Sequence, residues 1–473
     1  MARRRPAVLE RTRTFAFAAA AGVVAFHLLP EVLPRQGLAA LLWMGAGFAL
    51  PWLLEAGARA VGPGLLQSRG LTGLRVAAEV GFAALIFHSV AEGLALVAAL
   101  SGPGQADLEI ALVAHHAPLT AAVVLPFLEL RGPRSVAARS MIIAGAGLAG
   151  VLLSGAVPGF GGGALLQKAT ALTAGALLHV VADEIRVQRF GSPWERVADM
   201  GACAAGLLVA GYGAALHLRD SQDARSLAEF LRALAGTSLA AAPALLLGAA
   251  AAPLVGRRIR VDAFVLALVL LGPVAAVAML ALRLLAPLAP RGAPARRFSP
   301  GELLDAVAER GPPMLALLVL AAGLDMAVEA VPTRSAEGVL VLAGVALAAR
   351  LDPAGAVAVA AVLMRKGLDP GLMVAMLAIG PATRAFAAAE PPRRAAAFVF
   401  ASVAVAAGWL LSRSGLLTGH ALAPERSSVA VQLAASPFAA ISAAILLALA
   451  LVTLWNAGAR GWFAPLRHDR RSL

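Results

Sequence analysis

The sequence predicts an all-α, polytopic membrane protein of about 13–14 transmembrane helices arranged in two bundles. Three observations lead there. Of 473 residues, 60% are hydrophobic and only 14% charged, with a mean hydropathy of +0.81, far outside the range of soluble domains. Apolar runs long enough for a helix to cross ~30 Å of hydrocarbon recur along the whole chain. The period-two alternation of a transmembrane β-barrel does not appear.

The first half reads as seven helices, over 14–32, 38–55, 76–100, 108–130, 138–156, 163–186 and 199–218. Its N-terminus "MARRRPAVLERTRTFAFAAAAGVVAFHLLPEVL" is basic. The apolar run continues without a small-residue cleavage site, so it is expected to be the first membrane helix and not a removed signal peptide. A polar stretch at 219–227 then separates residues 1–218 from a second membrane domain, 228–473. There, helices are expected over 228–255, 261–288, 313–331, 336–366, 370–388, 395–413 and 435–457. The fourth of these should be broken at Asp352 and Pro353, because proline disfavours helix at the residue before it. The basic loop 289–312 is expected to carry a short interfacial helix.

A net charge of +13 would suggest nucleic acid in a soluble protein. Here the arginines sit in short loops between apolar runs, so they set orientation and nucleic acid is not an expected partner. Loops carrying Arg59, Arg69 and Arg75, then Arg131, Arg134 and Arg139, then Arg186, Arg189 and Arg196 alternate with loops poor in basic residues. The positive-inside rule therefore puts the N-terminus and these loops in the cytoplasm, which fits the inner (plasma) membrane of a bacterium. The expected partners are the lipid bilayer and a second copy of the chain as a homodimer. With Cys203 as the one cysteine, a metal would have to be held by imidazole and carboxylate.

Those ligand types recur at one spacing. His27 and Glu31, His88 and Glu92, and His179 and Asp183 are each four residues apart in apolar surroundings, so each pair shares a helix face. A carboxylate at bilayer depth costs a few kcal/mol even on lenient scales, and it normally faces a partner, a cation or water. The helix after His88 carries His115 and His116, followed by Pro118, which leaves the Ala114 carbonyl without its helical donor. Adjacent helical positions diverge by about 100°, so at most one of the two histidines faces His88 squarely in a regular helix. His88, Glu92, His115 and His116 are the metal candidates, with nitrogen and oxygen donors that suit Zn²⁺ or Fe²⁺. Gly93 permits close helix approach beside them.

"HSVAEGLALVAAL" and "HHAPLTAAV" resemble the paired metal-site helices of the ZIP (zinc and iron permease) transporters. One family helix reads His, often Asn, two residues, Asp or Glu, then Gly; His88, Ser89, Glu92 and Gly93 fit, with Ser89 at the Asn position. The other reads His, Lys, Ala, Pro in some branches; His115, Ala117 and Pro118 fit, with His116 at the Lys position. Other branches have a glutamate after the proline, where this chain has Leu119. The resemblance covers roughly residues 10–218 and implies seven of the family's usual eight helices, without the first. It also implies Zn²⁺, or Fe²⁺ or Mn²⁺, as a transported substrate, and no organic cofactor. The outer motifs lie in oppositely directed helices, as inverted repeats do, making His27, Glu31, Ser89, His179 and Asp183 pathway candidates.

The second half has no such cluster; its histidines are His420 and His468. "LMRKGLDPGLMVAMLAIGPATR" is similar to a predicted-permease family related to organoarsenical exporters, over about 228–457. Arg384 stands at that family's Asn position, and its typical cysteines are absent. Arg384 and Asp325 are the cavity candidates in this half.

Three functions follow as expectations. The first is a secondary transporter moving divalent metal, foremost zinc, into the cytoplasm; without a Walker A motif, transport would be gradient-driven. The alternative is a permease for an anion or small organic solute in the second half, with the ZIP-like half regulatory. An intramembrane metallohydrolase is the third, and the missing His-Glu-x-x-His motif argues against an enzyme.

Overall fold

The computed structural model describes residues 7–61, 73–99, 105–156, 164–185, 188, 190, 192–218, 223–255, 260–285, 300–328, 336–387, 391–416 and 435–466. Among them there is no strand, and seven helices are long and apolar enough to cross a membrane. The chain is an all-helical, integral membrane protein. It divides into two compact units: residues 1–229 with 457–464, and residues 230–456 with 465–473.

In the first unit α1 (Ala7–Val23) continues through one π-helical turn (Val24–Leu28) into α2 (Leu29–Gln36). Pro30 lacks the N–H that would close the regular ladder, and widening into a π turn is one way a helix absorbs that loss. Next come α3 (Leu38–Val61), α4 (Gly73–Ala99), α5 (Gln105–Arg131), α6 (Pro133–Ala156), α7 (Ala164–Glu184) and α8 (Pro193–Leu218). Gly132, at φ +82°, makes the reversal between α5 and α6, a backbone region that other residues enter only with strain. Glu79 of α4 takes Arg131 at 3.1 Å and Arg139 at 2.9 Å, so two arginines of the α5–α6 region are ion-paired. The Arg139 guanidinium lies 3.8 Å from the Phe127 ring centroid.

Small residues set the helix crossings. A Cβ on Gly93 of α4 would lie 2.1 Å from the Gly147 carbonyl of α6, and one on Gly150 would lie 2.2 Å from the Val90 carbonyl. Gly47 of α3 and Gly175 of α7 meet the Leu172 and Met44 carbonyls at 1.9 Å in the same way. Without hydrophobic driving force inside lipid, such backbone-to-backbone approach is what gives helices their dispersion contacts.

The second unit takes up most of α9 (Asp223–Val255), followed by α10 (Val261–Leu270), α11 (Pro273–Leu285) and α12 (Pro300–Ala327). After these come α13 (Ala336–Leu351), α14 (Pro353–Arg365), α15 (Pro370–Ala387), α16 (Pro391–Arg413) and α17 (Pro437–Ala457). The break at Asp352 falls where the sequence puts it: Asp352 is extended (φ −147°, ψ 115°) and its side chain caps α14. The expected single helix over 261–288 is instead interrupted at Leu271 and Gly272, because Gly272 turns at φ +90° and Pro273 restarts the chain as α11. The helix expected from 313 begins at Pro300, so the proposed interfacial helix is the first part of α12 and not a separate element. Pro312 and Pro313 lie inside α12, as membrane helices tolerate where neighbours satisfy the freed carbonyls. A short helix, α18 (Ala459–Trp462), belongs to the first unit.

Candidate metal centre

α4 presents His88 and Glu92 one turn apart, and α5 presents His116 to them. His88 Nε2 lies 2.9 Å from Glu92 Oε1, and His116 Nε2 meets Glu92 Oε2. One carboxylate thus faces two imidazoles, one at each oxygen. The two rings lie 5.8 Å apart and are inclined at 32°. Burial is graded: His88 is buried, while Glu92 and His116 are half-buried.

One donor atom from each of His88, Glu92 and His116 can be chosen so that all three lie within 4.8 Å of one another, the one group of three such side chains among the described residues. Bonds of ~2.1 Å to a tetrahedral Zn²⁺ place ligands about 3.4 Å apart, so side-chain adjustments that change the separations by at most about 1.4 Å bring this set to coordination distance. Three protein ligands leave a fourth position for water, the arrangement of an exchangeable metal. An open cleft of about 730 Å³ between α4, α5 and α6 supplies the access, lined by Ser89, Glu92, His116, Thr120 and Ser140 among others. The Ser89 hydroxyl donates to the Leu85 carbonyl at 2.8 Å, which directs its lone pairs and not its proton toward the cleft. Gly93 brings α6 against this turn, and Pro118 and Leu119 are buried beside it. The side chain of His115 lies outside the described residues; the imidazole that the structure brings to Glu92 is that of His116.

The other two pairs are wider. His27 Nε2 and Glu31 Oε2 are 3.9 Å apart on the π turn and α2, and Arg35 donates to Glu31 at 2.9 Å. His179 Nε2 is 3.7 Å from Asp183 Oδ2. The His179 Nδ1–H donates to the Phe48 carbonyl of α3 at 2.7 Å, which leaves Nε2 as the nitrogen turned to Asp183. Both histidines are buried.

In the second unit, Asp325 is paired with Arg365 at 3.3 Å and its carbonyl accepts from Lys366 Nζ at 2.8 Å, so it ties α12 to the end of α14. The Arg384 side chain lies outside the described residues. What the sequence reading missed there is a buried network of Arg260, Asp262 and Asp352, with Arg310 and Arg283 close by. No protein-family model, curated protein or solved structure matches the chain.

Proposed function

We propose that the first unit carries divalent metal, foremost Zn²⁺ and alternatively Fe²⁺ or Mn²⁺, across a bacterial plasma membrane toward the cytoplasm, driven by gradients. The observation that carries the reading is the convergence of His88, Glu92 and His116 on one point, beside an open cleft that Glu92 and His116 line, inside a membrane bundle. Three ionisable groups at that depth are expensive without a cation. The borderline hardness of an N₂O donor set suits zinc better than calcium or magnesium, which take oxygen alone. The resemblance of the α4 and α5 motifs to ZIP helices supports the same function. In this reading the N-terminus is cytoplasmic, the two outer pairs form entry and exit, and Leu119 restricts the site to one metal position.

Elemental analysis of the purified protein tests the site. Wild type should carry about one equivalent of zinc, and Glu92→Ala should weaken retention by ~10-fold or more, since even groups that only orient a ligand are worth that much. Equal metal content in the two proteins would remove the site. Zinc uptake into proteoliposomes tests transport separately, and His88→Ala should abolish it.

A further inference from the structure

The cleft beside the metal centre lies between α4, α5 and α6. The same three helices meet again toward the ends that carry Arg75, Arg131 and Arg134. There Phe82 of α4 and Phe127 of α5 pack edge to face, with ring centroids 6.2 Å apart. The Arg139 guanidinium of α6 covers both rings, 3.8 Å from the Phe127 centroid and 5.1 Å from that of Phe82. One of its Nη groups donates to both Glu79 oxygens of α4, at 2.9 and 3.1 Å, and the other donates to the Ser135 hydroxyl at 2.6 Å. Each helix that lines the cleft thus supplies one group of this stack.

The stack continues the cleft. Phe82 stands two turns before Ser89 on α4, and Phe127 two turns after Thr120 on α5, about 10 Å along the axis in each case. Two turns return a side chain to nearly the same face of its helix, so both rings follow the hydroxyls that line the cleft. Arg139 directly precedes Ser140, a third lining residue. Phe127 is fully buried, and two rings in edge-to-face contact leave no room between them for a hydrated ion.

Two features suit the stack to opening. α4 and α6 meet backbone to backbone at Gly93, Gly147 and Gly150, beside the metal site, whereas at the stack they are joined through side chains. Parting the side chains widens the cleft while the glycine crossing stays in place. Glu79, in turn, is paired with Arg131 at 3.1 Å as well, so its carboxylate keeps a cation when Arg139 leaves it. With Arg139 12% and Glu79 36% exposed, the pair borders water and costs little to break. Gly81, next to Phe82, would carry a Cβ 2.4 Å from Val180 of α7, so the stack also adjoins the helix of His179 and Asp183.

We propose that Phe82, Phe127 and Arg139 form a gate at this end of the metal cleft, latched by Glu79, and that the cation passes when Arg139 lets go of Glu79. The proposal rests on the transport reading above, in which this end faces the cytoplasm and metal is released there. Glu79 and Arg139 set access to the site without being ligands in it.

Thiol labelling of the full-length protein in sealed membrane vesicles tests the gate without requiring transport. Cys203→Ser removes the one native thiol, and Thr120→Cys then puts a thiol in the cleft. The reagent is a charged, membrane-impermeant methanethiosulfonate. Arg134→Cys, at an exposed position, shows which vesicle face carries this end of the helices. From that face Thr120→Cys should react slowly. Adding Arg139→Gln or Glu79→Gln should speed its labelling at least tenfold, with Arg139→Lys in between. Phe127→Ala should do the same, and if it does not fold the two latch variants carry the test. Val23→Cys, fully buried in α1, should stay unreactive in every variant. Latch variants as protected as the parent overturn the proposal, and so does Thr120→Cys reacting as fast as Arg134→Cys with the latch intact. Labelling of Val23→Cys that rises in parallel overturns it too, because the whole unit has then loosened. No metal enters this measurement, so the gate and the proposed transport fail separately.

Discussion

Among the three histidine-carboxylate pairs, geometry distinguishes the central one. His88 and Glu92 are 2.9 Å apart with a second imidazole in reach, whereas the outer pairs stand at 3.9 and 3.7 Å with no third ligand among the described residues. His27→Ala and His179→Ala should therefore leave the zinc content of the purified protein within about twofold of wild type, while His116→Ala should lower it as Glu92→Ala does. Elemental analysis of the four variants side by side checks the ranking. The i, i+4 spacing made His88 and Glu92 readable as a pair, because helical period alone puts them on one face. The choice of His116 was not readable: neighbours differ by about 100° of rotation, and the rotation of α5 relative to α4 is fixed by packing. Arg260, Asp262, Arg310 and Asp352 escaped for a stronger reason. The Arg260–Asp262 pair, Arg310 and Asp352 lie far apart in sequence, each looks like an ordinary loop or helix-end residue, and only the packing of α10 and α12 against α14 at the Asp352 break collects them.

At the scale of elements, the spans over 14–218 were legible because each is one uninterrupted apolar run bounded by glycine, proline or arginine. The interruption at Gly272 and Pro273 was not. Its flanks "VLALVL" and "VAAVAML" are apolar throughout, and hydropathy carries no signal for a turn inside the bilayer. The Gly-Pro pair was the one local clue, since glycine supplies the left-handed residue that ends α10 and proline the first residue of α11. Helix crossings are set at equally few positions. The Met44 carbonyl would lie 1.9 Å from a Cβ on Gly175, and backbone at a packed crossing moves only by separating the helices. Gly175→Leu should cost ~3 kcal/mol or more, at the upper end of overpacking penalties. Gly145→Leu, with nothing within 4 Å of its Cβ, should be nearly silent. Thermal unfolding of the two variants in the same detergent separates a crossing effect from a general effect of leucine.

On the scale of the whole chain, the first unit contains eight residues from near the C-terminus, 457–464, although hundreds of residues intervene. The reason is electrostatic. Arg460 is 1% exposed; it pairs with Glu184 of α7 at 2.9 Å and also contacts Glu10 of α1. Arg13, equally buried, shares Glu184 at 3.6 Å and holds Glu129 of α5 at 2.9 Å. Around them Asp199 accepts from the Thr14 hydroxyl at 2.6 Å and from the Ala459 N–H at 3.0 Å. Two arginines therefore serve three glutamates at the ends of α1, α5 and α7, and one of the two comes from α18. Removing a single partner from a buried network leaves its carboxylates without compensation, which costs about 3–5 kcal/mol, far more than the pair's own net worth. Arg460→Met should accordingly destabilise the first unit by a few kcal/mol. Arg460→Lys, which keeps the charge but cannot span two carboxylates with a fork, should fall between Met and wild type. Ending the chain after Ala457 should resemble Arg460→Met or exceed it, since the bond from Ala459 to Asp199 is lost as well. Limited proteolysis, reading cleavage within residues 1–229, checks all three. Fragments as resistant as wild type would mean that α18 rests on the unit without holding it together.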